Sequence, residues 1–525
     1  MNIKRASFAL LAMATPSVGL AHGFAQRYDL PVPLALYLSG AAAAVALSFV
    51  VIAFFLRHDH GVIGYWRVNL LRSWPGKLLA HPVLTALLRF LAVFALLLVV
   101  IAGLFGNIRP FENIAPTTVW VIWWVGLAYV SGLAGDLWAL INPWNSVYLS
   151  LERLARKLRP GKPTCLGIRY PIWLGDWPAV ILFLGFVWAE LVWPSSDSPR
   201  SLGWAVCAYS LITWVGMLLF GRHVWLRHGE AFTLVFGFLA RFAPTEYRSK
   251  DTSLCMACAE SSGALTHYSR TNCLECFENA ARENREFNIR PWAVGLLSEH
   301  PIRLSQMVLV LIMLSSVTFD GLLATPLWSS IAEWMLYSDT LRPAILLLQD
   351  PTGNAIAAIS TIALIVFLAC FQVLYAFFSA LMRWATPDVF RTRVSVVDMA
   401  RWFVLSLIPI ALAYHLAHYL SFLMIVGQYM VPLISDPLGI GWDIFGTSLY
   451  VVNIAVVNAR FIWITSVVAI VTGHIAAVYL SHVMALRVFQ DRRAALRSQI
   501  PMLFLMVGYT MLSLWIMAQP VVEIG

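Results

Sequence analysis

The chain has 525 residues, of which 60% are hydrophobic and 12% are charged, and its mean hydropathy is +0.75. Soluble domains carry about twice this charged fraction, which argues against a soluble globular protein. Several apolar runs reach the roughly 20 residues that a helix needs to cross a bilayer, and they do not alternate as barrel strands do. The composition therefore predicts an all-α fold, a polytopic helical bundle in a lipid bilayer.

The formal net charge of +9 has its own explanation in such a bundle. The Lys and Arg residues lie mainly in short loops between apolar runs, the distribution that the positive-inside rule describes. We therefore expect the positive charge to set the orientation in the membrane, and we expect no nucleic-acid partner.

The N-terminus resembles a secretory signal peptide. Lys4 and Arg5 precede the apolar run "ASFALLAM", and the following "TPSVGLA" ends in the small-x-Ala pattern that signal peptidase prefers. This predicts a signal peptide at residues 1–21, with cleavage between Ala21 and His22; an uncleaved signal anchor is the alternative. The expected location is a bacterial inner (cytoplasmic) membrane, with the mature N-terminus in the periplasm.

Ten membrane spans are predicted, at about residues 34–56, 87–105, 117–141, 172–193, 202–220, 307–327, 356–382, 403–426, 461–488 and 502–518. The basic loops alternate between them, which places both mature termini outside. The mature chain is thereby divided into a five-span bundle at 22–221, a cytoplasmic loop at 222–305 and a second five-span bundle at 306–525. Within the loop, "AFTLVFGFLARFAP" is apolar but short, and we expect an interfacial or partly inserted helix.

Four cysteines in the long loop have the spacing of a metal site. Cys255, Cys258, Cys273 and Cys276 form two CxxC pairs separated by fourteen residues. Two such pairs can direct four thiolates at one ion, which favours a structural zinc site and a small zinc-ribbon-like loop that folds around it. Two disulfides are the alternative, although a reducing cytoplasm disfavours them, and a rubredoxin-like iron centre stays open.

Histidines inside the predicted spans are candidates for a second metal site, because ionisable groups are costly in a membrane. His415 and His418 are three residues apart and share a helix face, while His474 lies near mid-depth in the next, antiparallel span. Three imidazoles around one ion are typical of catalytic zinc or copper sites. His482 lies about 12 Å deeper than His474. The alternative is that these are core histidines bonded to Ser, Tyr or backbone groups.

Two carboxylates and one terminus add to this picture. Asp320 lies toward the outer end of its span and could ligate a metal, orient a ligating histidine or act as a general base; helix capping or a water-filled pocket are the alternatives. Asp136 is expected to be structural, paired with an arginine of a cytoplasmic loop. A chain that begins at His22 would offer its amine and imidazole to Cu(II) on the same side as Asp320, unless His22 merely marks the processed end.

Several segments resemble one family of bacterial and archaeal integral membrane proteins. They are "AHGFAQRYDLPVPL", "DLWALINPW", "SSVTFDGLLATPLW", "HLAHYL" and "GHIAAVYLSH", and the resemblance covers most of the mature chain. Members of that family are identified as fenitrothion hydrolases. The resemblance implies hydrolysis of an aryl dialkyl phosphorothioate with release of a nitrophenol.

Three functional hypotheses follow. The first is a membrane metal-dependent hydrolase of organophosphorus triesters, with His415, His418 and His474 as ligands and Asp320 as ligand or base. The second is a protein that transports or handles copper or another transition metal, with His22 capturing the ion and His482 as the last step. The third is a cofactor-bearing or assembly subunit of a respiratory complex, for which the sequence has no specific ligand spacing.

Overall fold

The computed structural model describes residues 28–56, 65–160, 164–251, 253–254, 273–298, 300–392 and 394–523. Within these ranges, ten helices are long and apolar enough to cross a membrane by length and composition, and one apolar helix is shorter. In chain order they are α1 Leu34–Phe55, α2 Pro82–Phe105, α3 Ile114–Leu133, α4 Ile172–Leu191, α5 Pro199–Phe220, α6 Ala231–Ala240, α7 Leu304–Leu323, α8 Ala355–Ala385, α9 Val396–Ser435, α10 Ala459–Phe489 and α11 Arg492–Val521. The predicted all-α bundle with ten long apolar helices is confirmed.

The remaining elements are short. Further helices are Trp74–Leu79, Leu137–Ile141, Pro143–Leu158, Arg222–His228, Leu274–Asn279, Pro326–Tyr337, Arg342–Thr352 and Asp388–Arg391. The strands are β1 Tyr28–Asp29, β2 Val68–Asn69, β3 Thr245–Ser249, β4 Arg285–Ile289 and β5 Val522–Glu523. β4 lies between β2 and β3 in an antiparallel sheet, and β1 pairs in parallel with β5.

The small sheet joins two connections that are far apart in sequence. β2 belongs to the connection between α1 and α2, whereas β3 and β4 belong to the long loop between α5 and α7. Tyr247 and Phe287 stack across the strand pair with ring centroids 4.9 Å apart. Both connections therefore lie at the same end of the bundle, as the alternation of the predicted spans requires.

α6 lies inside the bundle rather than at its surface. Most of its side chains are buried, and Phe232 contacts Trp123 of α3 with ring centroids 4.4 Å apart. Glu230 caps the helix, because its carboxylate accepts hydrogen bonds from the backbone N–H groups of Phe232 and Thr233 at 3.1 and 2.8 Å. Ten residues that are apolar on every face have no polar side to present to headgroups, so this helix packs in the core.

Two glycines allow the helices around the site to approach closely. A Cβ atom at Gly473 of α10 would lie 2.7 Å from the carbonyl oxygen of Pro409 on α9. A Cβ atom at Gly321 of α7 would lie 2.6 Å from the hydroxyl of Tyr414, also on α9. The absence of a side chain at both positions brings α7 and α10 against α9, the helix of the HxxH motif.

The first helix packs against the last two. Tyr37 of α1 meets Trp463 of α10 with ring centroids 5.6 Å apart, and Arg492 of α11 donates to the carbonyl oxygen of Ala53 at 3.1 Å. A single cluster of buried apolar side chains includes residues of both halves of the chain, among them Val45, Phe183 and Met506. The two sets of five long helices thus share one core.

Candidate functional site

Three polar side chains of α9 line the interior of the bundle. His415, His418 and Tyr419 are all buried, with exposed fractions of 5%, 7% and 5%. The rings of His415 and Tyr419 have centroids 4.7 Å apart, as the i, i+4 spacing on a helix predicts. This part of α9 therefore presents two imidazoles and a phenol along one stripe.

Asp320 of α7 meets this stripe directly. Its Oδ2 atom lies 2.8 Å from Nε2 of His418 and accepts a hydrogen bond from the Tyr419 hydroxyl at 2.7 Å. The Asp320 side chain keeps 18% of its surface exposed, while that of His418 keeps 6%. The structure thus unites two of the residues that the sequence singled out, in a carboxylate–imidazole pair.

Glu190 extends the pair and is not among the residues predicted from the sequence. Its Oε1 atom accepts a hydrogen bond from the indole Nε1 of Trp124 at 2.6 Å and lies 3.1 Å from the Tyr419 hydroxyl. Glu190 is the penultimate residue of α4, in the segment "VWAELVW". The usable signal was an acidic residue within a predicted span, which marks a functional candidate as Asp320 did.

His415 lies in an aromatic enclosure next to the pair. Its ring centroid is 5.5 Å from that of Trp124 and 5.9 Å from that of Tyr129, and its Nε2 atom has no hydrogen-bond partner among the described residues. A small, mainly apolar cavity of about 20 Å³ touches His415 and Trp124. That volume has room for about one water molecule.

His474 and His482 lie apart from the carboxylates. Nδ1 of His474 is 2.8 Å from the carbonyl oxygen of Ile470, and its ring packs on Tyr509. Its Nε2 atom has no hydrogen-bond partner in the part of the chain that the structure describes. His482 contacts the carbonyl oxygen of Leu56 through Nε2 at 3.2 Å, and no described residue bonds to its Nδ1 atom. Both imidazoles therefore have one anchored nitrogen and one buried nitrogen without a partner.

The three histidines predicted to share a metal ion do not form one group of ligands among the described residues. Across the part of the chain that the structure describes, no group of three or more His, Cys, Asp or Glu side chains is placed to hold a metal ion. His415 and His418 flank Tyr419, whereas His474 faces the Tyr509 side of the core. A shared metal ion at His415, His418 and His474 stays a prediction.

The cysteine cluster and the mature N-terminus are described only in part. His22, Cys255 and Cys258 lie outside the described residues. Cys273 and Cys276 are buried at the start of helix Leu274–Asn279, and the backbone N–H of Cys276 donates to Sγ of Cys273 at 3.3 Å. Such an N–H···S contact is compatible with a thiolate at Cys273, and the four-cysteine zinc site stays a prediction.

Asp136 caps a helix, and the described arginines do not pair with it. Its Oδ1 atom accepts a hydrogen bond from the backbone N–H of Ala139 at 3.0 Å, at the start of helix Leu137–Ile141. Among the ion pairs of the described residues, none involves Asp136. Loss of solvent raises the pKa of this carboxyl to about 6.

His228 joins three elements at the end of the bundle that carries the small sheet. Its Nδ1 atom lies 2.5 Å from Oδ1 of the buried Asp176, whose carboxylate also pairs with Arg303 at 3.4 Å. Tyr170 stacks on the imidazole with ring centroids 5.1 Å apart. The group ties helix Arg222–His228 to the starts of α4 and α7, which is a structural role.

Comparisons with known proteins add no further assignment. No family model, no curated protein and no solved structure matches the chain.

Proposed function

We propose that this protein is a membrane-embedded hydrolase of organophosphorus triesters such as fenitrothion, and that His418 and Asp320 activate the attacking water. The observation that supports the proposal is the hydrogen bond of 2.8 Å between the His418 imidazole and the Asp320 carboxylate inside the bundle. An imidazole oriented by a carboxylate is a recurring general base in hydrolases. The sequence resemblance supplies the substrate class.

The proposed step divides the work between the two residues. Asp320 lies against Nε2 of His418 and orients the imidazole. His418 takes a proton from water as the water oxygen forms its bond to phosphorus. The bond from phosphorus to the aryl oxygen breaks, and the nitrophenolate leaves with the electron pair. His418 is thus the catalytic base in this step, and Asp320 is the positioning residue.

The surroundings suit an apolar substrate. Trp124 and Tyr129 line the interior beside His415, and Asp320 keeps part of its side-chain surface exposed. A neutral aryl triester partitions into a bilayer, so the lipid phase would concentrate it around the helices. Aromatic and aliphatic walls would then hold the aryl and alkyl groups while a few polar side chains do the chemistry.

The predicted metal dependence is a separate part of the proposal. A bound zinc or copper ion would polarise the phosphoryl group and the attacking water. The unpartnered Nε2 atoms of His415 and His474 are the atoms that would suit such an ion, but the described residues contain no group of three ligands around them. We therefore derive no step through a metal.

The test is hydrolysis of fenitrothion by the purified full chain in lipid nanodiscs, followed through release of the nitrophenol. We expect His418→Gln and Asp320→Asn to lower kcat at least about 100-fold, the range of a general base. Asp320→Asn should in addition shift the pH profile of kcat. Asp197→Asn, on the exposed loop between α4 and α5, and His223→Gln are matched controls that should keep full activity.

Two outcomes would overturn the hydrolase proposal. One is an unmutated protein that hydrolyses no phosphoric triester in the nanodisc assay. The other is a His418→Gln variant that retains full activity, which would remove the imidazole from the chemistry.

A second function, the handling of a transition metal, is favoured by the unpartnered imidazole nitrogens. His415, His474 and His482 each keep one such nitrogen, and the eight residues from His474 to His482 span about 12 Å along α10. Spaced imidazoles of this kind could pass an ion along the bundle. Under this proposal, liposomes that contain the protein take up Cu²⁺ or Zn²⁺, and His474→Ala abolishes uptake.

Elemental analysis of the purified protein separates the metals. One zinc per chain that disappears in Cys273→Ser would support the cysteine site. Metal that survives Cys273→Ser but falls in His415→Ala or His474→Ala would support an intramembrane site. Uptake by protein-free liposomes at the same rate as by the loaded ones would reject metal transport.

A further inference from the structure

The Tyr419 hydroxyl lies between two carboxylates. Its oxygen is 2.7 Å from Oδ2 of Asp320 and 3.1 Å from Oε1 of Glu190, both within hydrogen-bond distance. The three residues come from α4, α7 and α9, so the contact ties three long helices together at one point. A phenol has one hydrogen to donate, and here it faces two acceptors.

The two contacts of the Tyr419 hydroxyl with carboxylate oxygens need two hydrogens, and the hydroxyl supplies one. Oδ2 of Asp320 accepts from the Tyr419 hydroxyl over the shorter distance and contacts Nε2 of His418. Oε1 of Glu190 accepts from Nε1 of Trp124. If both carboxylates were ionised, the 3.1 Å contact between Glu190 and Tyr419 would join two oxygens with no hydrogen between them. A hydrogen on Glu190 turns this repulsive contact into a hydrogen bond.

The charges around Glu190 and Asp320 also favour a proton on one of the two carboxyl groups. None of the ion pairs formed by the described residues involves Glu190, whereas Asp320 lies against the imidazole of His418. The other titratable groups at hand are Tyr414, which stacks on His418 at 6.1 Å, and His415, which packs on Tyr419. Two ionised carboxylates joined by one phenol would repel each other where water screens poorly, and one of them keeps a proton in such pairs.

We propose that Glu190 is an intramembrane proton-binding site, and that its carboxyl group donates the bound proton to the hydroxyl oxygen of Tyr419. The hydrogen bonds then run in one direction. Trp124 donates to Glu190, Glu190 donates to the oxygen of Tyr419, Tyr419 donates to Asp320, and His418 donates to Asp320 from the other side. The net charge of the carboxyl pair is −1. This inference does not depend on the hydrolase proposal, since it concerns the resting protein without substrate.

Infrared difference spectroscopy of the full chain in nanodiscs at neutral pH tests the site. A protonated carboxyl group has a C=O stretching band that ionised carboxylates lack and that shifts on exchange into D₂O. We expect this band to disappear from the spectrum of Glu190→Gln. Tyr419→Phe should retain the band at a shifted frequency, because the carboxyl keeps its proton but loses its acceptor. Asp197→Asn is the matched control and should leave the spectrum unchanged.

The infrared band does not depend on catalysis, and comparing only folded samples excludes a loss of folding as the cause of a change in it. Each variant is first compared with the unmutated protein by its thermal transition in detergent, and spectra are compared only for folded samples. A band that is unchanged in Glu190→Gln, or one that disappears only in Asp320→Asn, would overturn the assignment of the proton to Glu190. A protein that hydrolyses no triester would still show the band, so failure of the proposed function and failure of this proposal are distinguishable.

Discussion

Glu246 shows how the small sheet keeps a buried carboxylate ionised. Its carboxylate receives hydrogen bonds from Arg67 at 2.8 Å, Arg290 at 3.1 Å, Tyr65 at 2.8 Å and Asn288 at 3.2 Å. Burial alone would raise the pKa of Glu246, but the Tyr65 hydroxyl and the two guanidinium groups outweigh it and hold the pKa below its usual range. The interaction is therefore a source of stability that depends on ionisation.

We expect Glu246→Gln to lower the free energy of unfolding by about 3–5 kcal/mol, because it leaves the buried Arg290 without its partner. The contribution is complete above the unfolded-state pKa of a glutamate and is lost as the pH falls through the depressed folded-state value. Denaturation followed in detergent as a function of pH measures both effects. Glu286→Gln on β4, whose partner Lys250 is half exposed, should change stability by less than about 1 kcal/mol. Equal losses in the two variants would contradict the prediction.

Asp136 should change the pH dependence of stability in the direction opposite to that of Glu246. Loss of solvent raises the pKa of its carboxyl to about 6, so the folded state binds a proton more tightly than the unfolded chain does. Stability therefore falls as the pH rises from about 4 through 6, and the deficit persists above that window. Asp136→Asn keeps the oxygen that caps Ala139 and removes the charge. We expect a gain of about 1–2 kcal/mol at pH 8 that vanishes near pH 4.

The thermal transition of Asp136→Asn and of the unmutated protein, recorded from pH 4 to 8, tests this. Asp197→Asn at an exposed position should follow the unmutated curve throughout. A constant difference across the whole range would show that the substitution acts on packing and not on the charge.

Among the elements, the position of α10 depends on a close contact that it makes with α9 at a glycine, which has no side chain. Gly473 approaches the backbone of Pro409, so a methyl group there must displace one of the two helices. We expect Gly473→Ala to destabilise the protein by about 1–3 kcal/mol, the usual cost of overpacking. Gly508→Ala on α11 meets no atom within 4 Å and should be neutral or slightly stabilising, as alanine in a helix is. Comparable thermal transitions for both variants would contradict this prediction.

The elements also show what the sequence can and cannot predict. Runs of about 20 apolar residues indicated the ten long helices, because a helix needs roughly that length to cross a bilayer. The start of α9 was predicted seven residues too late, since Asp398 and Arg401 lower the hydropathy of its amphipathic first turns. The sheet of β2, β3 and β4 escaped prediction because its strands are short and because β2 pairs with β4 more than 200 residues away in sequence.

The candidate site was predictable to a similar extent. Unusual residue types in apolar runs indicated His415, His418 and Asp320. Their pairing depends on the angle at which α7 crosses α9, which in turn depends on the close contact at Gly321. Glu190 completes the site from α4, and no spacing rule connects it to the other residues in sequence.

For the whole molecule, the positive-inside rule predicts the orientation in the membrane from the connectivity and the basic loops. We expect alkaline phosphatase fused after Asp197, Ser338 or Thr447 to be active, because these positions lie in connections that face the periplasm under the predicted topology. Fusions after Arg159 or Gln490 should be inactive. Enzyme activity in intact cells is the measurement, and a fluorescent protein that matures only in the cytoplasm should give the inverse pattern at each position. Activity at Gln490 would overturn the topology.

The pairing of β1 with β5 has a consequence for how the chain is synthesised. α1 is made first, yet its partners α10 and α11 are made last. During most of translation α1 therefore lacks its native neighbours. The strand Tyr28–Asp29 can pair only after Val522–Glu523 have been synthesised. A chain that ends before α10 would therefore leave α1 without these packing partners and its apolar face exposed to lipid.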